Sequence, residues 1–266
     1  MSDESSESPT IRLTFLPLVE PSLPSLEALN EALGARGQGP LVADWGEDAE
    51  ESGGGESEQE TLFFRFEGQR AFVCLFPAPF PWTDLEGPCE TAWWWPEASE
   101  TLRDHGAHLV LSLMENPGDP VDQALRMTRL TAVVLEASGA LAVYWPEAPL
   151  VQSRDAFLED SALADRDRLP VHLWVDLRVF STEEGTVSVF TAGLQALGAM
   201  EIEVRRTRVP PEEALGMVGG LVSYLAERGP VIKDGDTVGG SAEERITAHH
   251  LPSEWEREGE VLVIDM

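Results

Sequence analysis

The chain has 266 residues, of which 42% are hydrophobic and eight are tryptophan, enough to bury the core of one large domain or two small ones. It carries 48 acidic against 18 basic residues, a formal net charge of −30. This charge argues against binding to DNA, RNA or an anionic membrane, because those partners select basic surfaces. It suits a basic partner protein, or solubility alone.

The cysteine content and the hydropathy pattern indicate a cellular compartment. Cys74 and Cys89 are too few for a disulfide framework. The N-terminus lacks a basic region followed by an apolar run, and no apolar stretch is long enough to span a bilayer. These features predict a cytoplasmic bacterial protein.

Residues 1–9 are acidic and rich in serine, which predicts a disordered tail, and residues 10–90 predict an N-terminal α+β part. The acidic segment 46–60 contains three consecutive glycines without apolar anchors, so we interpret it as a solvated surface loop. A hairpin follows, and its strands are apolar on both faces, which predicts that both faces are covered. The predicted elements of this part are strands at 11–18 and 41–45, a helix at 25–35, and hairpin strands at 61–67 and 70–76.

Residues 91–266 predict a second, C-terminal α+β part, which begins near the run Trp93-Trp94-Trp95. Two interpretations of this run are open: it lines an aromatic ligand groove, or it packs around the start of a helix at 96–105. We favour packing. His105 and His108 lie at the end of this helix and the start of the next strand, which predicts surface positions.

A long helix is predicted after Asp119-Pro120, because aspartate is a good N-cap and proline suits the first helical position. Gly139 ends it, and a strand at 141–145 and a helix at 153–163 follow. The quick alternation of strands and helices predicts an α+β fold with mixed, mostly antiparallel sheets flanked by helices.

The stretch from Val171 to Arg205 has the clearest strand pattern in the chain. Apolar and polar residues alternate from 171 to 180, a turn follows at 181–185, and further strands are predicted at 186–191 and 200–205. Such alternation buries Val175 and turns the other face of the sheet to solvent. The candidate binding residues on that solvent face are His172, Trp174, Asp176, Arg178, Glu201, Glu203 and Arg205.

Two interpretations of this charged face are open. In the first, Arg178 and Arg205 pair with carboxylates across the strands in a salt-bridge lattice. In the second, a metal-dependent hydrolase-like enzyme uses four of these side chains, namely His172, Asp176, Glu201 and Glu203. His172 and Asp176 are four residues apart on one strand, so they would lie about 13 Å apart, which is too far for both to bind one metal ion. We favour the lattice, and we predict no catalytic residue, no metal ligand and no cofactor.

A last helix is predicted from Pro210 to Gly229, and its buried stripe at the three-four spacing is Leu215, Val218, Leu221, Val222 and Leu225. The three glycines within it, Gly216, Gly219 and Gly220, suggest close approach to a sheet. The turn Asp234-Gly235-Asp236-Thr237 lacks the remaining acids of a calcium loop, so a plain acidic turn is favoured over a calcium site. His249 and His250 are adjacent and point to opposite sides of a strand, so at most one of them could join a metal site.

Four segments resemble an uncharacterised bacterial domain-of-unknown-function family: HLWVDL at 172–177, TAGL at 191–194, AMEIEV at 199–204 and VIKDGDTVG at 231–239. The resemblance covers residues 171–241 closely and 91–163 more loosely, and it implies no assigned reaction. The second and third segments are also similar to the suppressor-of-fused-like immunity domains of bacterial toxin systems, which act by binding a toxin or a partner protein. This likeness implies a non-enzymatic, acidic, protein-binding protein, either a toxin-neutralising immunity protein or an accessory factor of a secretion or conflict system.

Overall fold

The computed structural model describes residues 10–43, 60–182, 184–239, 246–255 and 258–266. The predicted disordered tail, and the predicted acidic loop up to residue 59, lie outside the described residues. Glu60 already belongs to a strand. Within the described ranges, no helix combines the length and the apolar character that crossing a membrane requires.

The first sheet has seven strands in the order β2-β3-β4-β5-β1-β6-β7, and every pairing is antiparallel. The hairpin predicted near residue 68 is confirmed: β3 and β4 pair around Glu67 and Gly68, which both have positive φ. The strands are β1 Thr10–Leu18, β2 Val42–Ala43, β3 Glu60–Phe66, β4 Gln69–Phe76, β5 Ala107–Glu115, β6 Ala142–Trp145 and β7 Leu150–Ser153.

Helices cover both faces of the first sheet. On one face Thr14 Oγ1 lies 3.3 Å from Thr131 Oγ1 of α4, and α1 and α5 pack against α4. Phe15 points to the other face, where its ring centroid lies 4.6 Å from that of Phe80 beside α2 and α3. The helices are α1 Leu26–Ala35, α2 Trp82–Thr91, α3 Ala98–Leu102, α4 Pro120–Ala137 and α5 Arg154–Ser161.

Coverage of the β3–β4 hairpin is only partial. Phe64 and Phe66 are buried on one face, as predicted. On the opposite face Phe63 is exposed and contacts Phe72 across the strands, with 5.8 Å between ring centroids. The prediction that both faces of this hairpin are covered is therefore wrong for the outer strand, because an apolar sequence pattern does not show which neighbours are present.

The start of α4 follows the sequence prediction. The Asp119 carboxylate accepts hydrogen bonds from the N–H groups of Val121 and Asp122, and Pro120 is the first helical residue. Burial raises the pKa of Asp119, but these N–H groups and Arg166 outweigh it and hold that pKa below its ordinary value. The predicted capped helix is confirmed.

The three consecutive tryptophans take two different environments. Trp94 and Trp95 pack against the cluster that α2 and α3 form with β6 and β7, and Trp94 Nε1 donates to the Val151 carbonyl oxygen at 3.2 Å. Trp93 is 78% exposed and meets Trp94 edge to face at 5.6 Å. Packing is therefore confirmed for two of the three rings.

His105 and His108 are buried, so their predicted surface positions are wrong. His105 Nε2 accepts a hydrogen bond from the Phe80 N–H at 2.7 Å, while its Nδ1 donates to a backbone carbonyl oxygen. His108 Nδ1 lies 2.8 Å from the Ala78 carbonyl oxygen, and its ring stacks on Phe76 at 5.0 Å. His108 thus ties the segment before α2 to β5, and His105 ties the same segment to the end of α3, roles that a sequence position alone does not reveal.

Burial lowers the pKa of His108 below its ordinary value of 6.5; the hydrogen bond to Ala78 opposes this shift and His105 adds to it. As the pH falls below 6.5, the unfolded chain takes up a proton that the folded protein resists. We therefore expect His108 to lower stability as the pH falls from about 6.5 towards its lower folded-state pKa, and to have no effect at higher pH. Urea unfolding at several pH values should show a shallower decrease for His108→Gln than for the wild type; equal slopes would contradict this.

Charged side chains connect β5, α4 and the β3–β4 turn. Glu115 is buried, accepts a hydrogen bond from Arg126 of α4, and has its second oxygen 4.0 Å from Nε of the buried Arg12. Arg126 also contacts Glu67 at 3.1 Å, and Arg129 binds Glu67 through two hydrogen bonds of 2.9 Å. The network thus runs from the interior of the first unit to Glu67 at its surface.

The second sheet has six strands in the order β11-β12-β13-β10-β9-β8. Its pairings are antiparallel except that β10 and β13 run parallel. The predicted hairpin of β8 and β9 and the third strand beside it are confirmed. The strands are β8 Asp176–Ser181, β9 Val187–Ala192, β10 Ile202–Thr207, β11 Thr237–Val238, β12 Ile246–Pro252 and β13 Glu260–Asp265.

One face of the second sheet is covered by α6, Pro211–Arg228. Val218, Val222 and Leu225 of this helix are buried, as the three-four spacing predicted. The facing strands contribute buried side chains such as Val189 and Ile202. This face is the core of the second unit.

The strand predicted to begin at Val171 begins only at Asp176. Residues Val171–Leu173 form a short 3-10 helix, and the N–H groups of Trp174 and Val175 both donate to the Val171 carbonyl oxygen. Because this turn is not extended, burial does not alternate there. The predicted burial of Val175 is confirmed, whereas the predicted exposure of Trp174 is wrong.

The two sheets belong to two compact units, each a mostly antiparallel sheet with helices, which confirms the α+β fold class. One unit comprises the residues up to Pro146 with Leu150–Arg168, and the other comprises Glu147–Pro149 with Leu169–Met266. The sequence instead suggested a division after residue 90. In the structure, β4 and β5 pair along their whole length across that point, so they belong to one unit.

Candidate functional site

Most of the predicted solvent face is buried. Asp176 is 2% exposed, Glu201 is 3% exposed and Glu203 is 0% exposed, so the expected exposure of these three carboxylates is wrong. His172 is exposed, as predicted, and Arg178 and Arg205 are half-buried. A binding role for these side chains stays a prediction, but the carboxylates have clear structural partners.

Two carboxylates on this face pair with arginines of their own strand. Arg178 Nε donates to Asp176 Oδ2 at 2.6 Å, and Arg205 donates twice to Glu203 Oε2, at 2.9 and 2.7 Å. Each pair is two residues apart, a spacing that places side chains on the same face of a strand. The favoured salt-bridge interpretation therefore holds, but the pairs lie within strands and not across them.

Glu201 acts as a buried hydrogen-bond acceptor for the turn between β9 and β10. Its Oε1 accepts from the N–H groups of Gly193 and Gln195 at 2.8 and 3.1 Å, and its Oε2 accepts from Thr191 Oγ1 at 2.6 Å. Gly193 has φ +116°, and a Cβ there would lie 2.1 Å from the Trp174 carbonyl oxygen. The carboxylate thus stabilises a turn that only glycine can form.

The four side chains of the alternative metal site are not brought together. The three carboxylates each hold the separate partners described above, and His172 lies in the 3-10 helix before β8. Within the described ranges, no group of three or more histidine, cysteine, aspartate or glutamate side chains could hold a metal ion. The geometry therefore gives no support to hydrolase-like chemistry at these residues.

The acidic turn before β11 is attached to β12 by hydrogen bonds. The Lys233 N–H donates to Asp236 Oδ2 at 2.8 Å, which closes the turn. Asp234 Oδ1 accepts from the His250 N–H at 3.1 Å and lies 3.7 Å from His249 Nδ1. These contacts give both acids a structural role, in agreement with the favoured acidic turn.

An aromatic cluster lies on the sheet face opposite α6. Phe180 of β8 stacks on Phe190 of β9 with 5.5 Å between ring centroids, and Trp255 contacts them at 5.1 and 4.9 Å. Glu203 accepts hydrogen bonds from Ser253 Oγ and the Glu254 N–H, so it holds the segment that carries Trp255. We call Phe180, Phe190 and Trp255 the aromatic face.

Sequence reasoning missed Phe190 and Trp255 as members of a surface. Phe180 could have been found, because it continues the alternation that places Asp176 and Arg178 on one face. Trp255 is distant in sequence and follows β12, so no local periodicity connects it to β8. Only the tertiary structure brings the three rings together.

Strand β8 lies at one edge of the second sheet, and β9 is its neighbour among the described strands. Val179 is 40% exposed and Phe180 is 44% exposed, and adjacent strand residues point to opposite faces. Trp255, at 37% exposure, extends the apolar surface beside Phe180. The edge therefore presents apolar side chains on both faces, next to the main-chain groups that face away from β9.

A groove of about 740 Å³ lies between α6 and the segment 231–238, which we call the α6 groove. Its apolar lining includes side chains from both walls, and its two charged side chains are carboxylates. The side chains that define it are Glu213, Met217, Leu221, Tyr224, Val231, Ile232, Asp236 and Val238. Leu221, predicted as part of the buried stripe of α6, lines this groove instead.

The glycines of α6 do not approach the sheet, so the reason expected for them is wrong. A Cβ built at Gly216, Gly219 or Gly220 would meet no atom within 4 Å. Each glycine costs roughly 1 kcal/mol relative to alanine in a helix interior. Gly216 and Gly220, four residues apart, line the α6 groove. The fold of the described residues therefore gives no packing reason for glycine at these positions.

The family match found by comparison with known proteins lies within the second unit. Residues 190–265 match the model of a family described as Domain of unknown function (DUF4261). The matched stretch contains β10, α6, the α6 groove and β11 to β13, but neither β8 nor residues 91–163. No curated protein and no solved structure matches the chain. The C-terminal part of this protein is thus similar to an uncharacterised domain-of-unknown-function family.

Proposed function

We propose that this protein is a non-enzymatic, acidic, protein-binding protein, and that its partner docks on the edge of β8 beside the aromatic face. The observation that carries the proposal is the exposure of Val179 and Phe180 on opposite faces of an edge strand. Natural proteins usually protect such an edge with charges, prolines or a covering element. An exposed apolar edge suits the addition of a strand from a partner.

Strand addition uses two kinds of contact. Main-chain N–H and C=O groups of β8 supply hydrogen bonds, and side chains on both faces supply specificity. Here Val179 offers apolar contact on one face, while Phe180 and Trp255 offer it on the other. Arg178 and Arg205 near this edge form ion pairs with Asp176 and Glu203, so their charges are already neutralised within the protein.

The net charge of −30 supports a basic protein as the partner. A second copy of the chain would carry the same charge, and repulsion would oppose its approach, whereas a basic protein would be attracted and steered. A basic toxin neutralised by an immunity protein fits this requirement, as does a basic component of a secretion or conflict system. In either role we place the protein in the bacterial cytoplasm.

The test begins with the identification of a partner. The tagged full-length protein is used to capture proteins from its native host, and the most abundant captured protein is purified. Its affinity is then measured by biolayer interferometry for the wild type, for Val179→Lys and for Phe180→Lys. We expect each β8 variant to weaken binding at least tenfold, because a lysine on the edge opposes strand pairing.

Val19→Lys is the matched control, since Val19 is an exposed apolar residue of the first unit and receives the same change of charge. It should bind like the wild type, and circular dichroism should show every variant folded at the assay temperature. Phe180→Lys should melt below the wild type because it loses its ring contacts with Phe190 and Trp255, so Val179→Lys is the cleaner test of the edge. The association rate should also fall as salt rises, because screening limits the reach of the charge to about 8 Å at physiological ionic strength. Equal affinity of the β8 variants and the wild type would overturn the proposal.

A further inference from the structure

We propose that the α6 groove is a second binding site, separate from the β8 edge, and that it takes a basic peptide segment with an apolar anchor side chain. The groove has a volume of about 740 Å³, within the range of about 300–1,000 Å³ typical of ligand sites. It lies within the stretch that matches the family model. The inference does not depend on the proposed docking at β8.

The apolar lining defines what the anchor must be. Met217, Leu221 and Val238 contribute flexible and branched aliphatic surface, and Tyr224 contributes a half-exposed aromatic ring. Methionine adapts to differently shaped partners, which suits a site for a peptide side chain. An aliphatic or aromatic anchor would remove this surface from water, the main favourable term in such binding.

The glycine wall of the groove is open for a ligand. Nothing lies within 4 Å of a Cβ at Gly216 or Gly220, so the glycines relieve no clash inside the described protein. What they do is leave the helix backbone accessible along one side of the groove, and glycine permits a ligand backbone to approach closely. The glycines thus lower the stability of α6, and in return they leave the groove accessible to a ligand.

Charge complementarity identifies the occupant as basic. The charged side chains that line the groove are Glu213 and Asp236, and both are acidic. The whole chain adds to the same negative potential, with a net charge of −30. A lysine or arginine next to the apolar anchor would meet these carboxylates, whereas an acidic segment or a second copy of the chain would be repelled.

The probe is a fluorescein-labelled twelve-residue peptide with leucines and lysines at helical spacing, and its control has glutamate in place of lysine. Fluorescence anisotropy with the full-length protein at physiological salt should show binding of the lysine peptide only. Gly220→Leu fills the groove without changing the charge, so it should weaken binding at least tenfold. Its melting temperature should equal or exceed that of the wild type, since no atom opposes the new side chain.

A pair of charge variants distinguishes binding in the α6 groove from attraction by the overall negative charge of the chain. Glu213→Gln should weaken binding of the lysine peptide at least threefold. Glu212→Gln, which removes the same charge from the exposed neighbouring position, should leave binding unchanged. Val179→Lys at β8 should also leave it unchanged, which distinguishes this site from the docking surface of the proposed function.

Several results would overturn the inference. They are equal binding of the lysine peptide to Gly220→Leu and the wild type, equal effects of the two glutamate variants, and absence of binding to the wild type at millimolar protein. A dimer in sedimentation that disappears in Gly220→Leu would identify a second copy as the occupant and would equally refute it.

Discussion

Replacing Glu115 by alanine will lower the free energy of unfolding by about 3–5 kcal/mol, the largest effect that we expect in the first unit. The side chain of Glu115 is fully buried and lies between Arg126, to which it is hydrogen-bonded, and Arg12. Removing the carboxylate deprives the buried guanidinium of Arg12 of an opposite charge at 4.0 Å and takes the hydrogen-bond acceptor from Arg126. Removing one partner of a buried ion pair costs more than the pair itself contributes.

Urea unfolding followed by circular dichroism measures this change, and Glu67→Gln is the matched control at the other end of the same network. Burial raises the pKa of Glu67, but Arg129 and Arg126 outweigh it and hold that pKa below its ordinary value. Its stabilising effect is therefore present above the unfolded pKa and lost as the pH falls through the lower folded value. Because Glu67 is partly exposed, we expect its loss to cost about 1 kcal/mol or less. If Glu115→Ala and Glu67→Gln lowered the free energy of unfolding by similar amounts, Glu115 would not be the buried centre of this charged network.

The second large effect concerns Glu201, which the sequence placed on a solvent face. Glu201→Ala removes three hydrogen bonds to a buried carboxylate and leaves the N–H groups of Gly193 and Gln195 without this acceptor. We expect a loss of about 3–5 kcal/mol, since each buried group that loses its partner costs roughly 1–3 kcal/mol. The turn between β9 and β10 should open in hydrogen exchange.

Glu201→Gln is the conservative comparison, because its amide oxygen can still accept from the two N–H groups. It should recover at least half of the stability that alanine loses. A wild-type melting temperature for Glu201→Ala together with lost partner binding would instead make Glu201 a binding residue, as the strand alternation first suggested.

Local patterns were sufficient for features that depend on neighbouring residues. The Asp119 cap with Pro120, the β3–β4 hairpin around Gly68 and the β8–β9 hairpin followed from turn and capping chemistry, which acts over a few residues. The burial of Val218, Val222 and Leu225 in α6 followed from hydrophobic spacing. The α+β class followed from the order of these elements.

The candidate surfaces depended on the tertiary structure. Alternation separates the two faces of a strand, but it does not show whether the polar face is covered, and Asp176, Glu201 and Glu203 are all buried. The aromatic face needs Trp255 beside Phe180, although they are far apart in sequence.

The α6 groove and the boundary between the two units also depend on contacts between segments that are distant in sequence. Glycines in α6 suggested close packing by their composition, yet the structure leaves them facing open space, because what lies opposite a helix face is determined by distant segments. Similarly, β4 and β5 are separated by two helices in sequence and paired in space. The sequence by itself determined most of the elements, because caps, turns and hydrophobic spacing act locally. Long-range pairing decided which polar faces are buried and which apolar ones remain exposed to a partner.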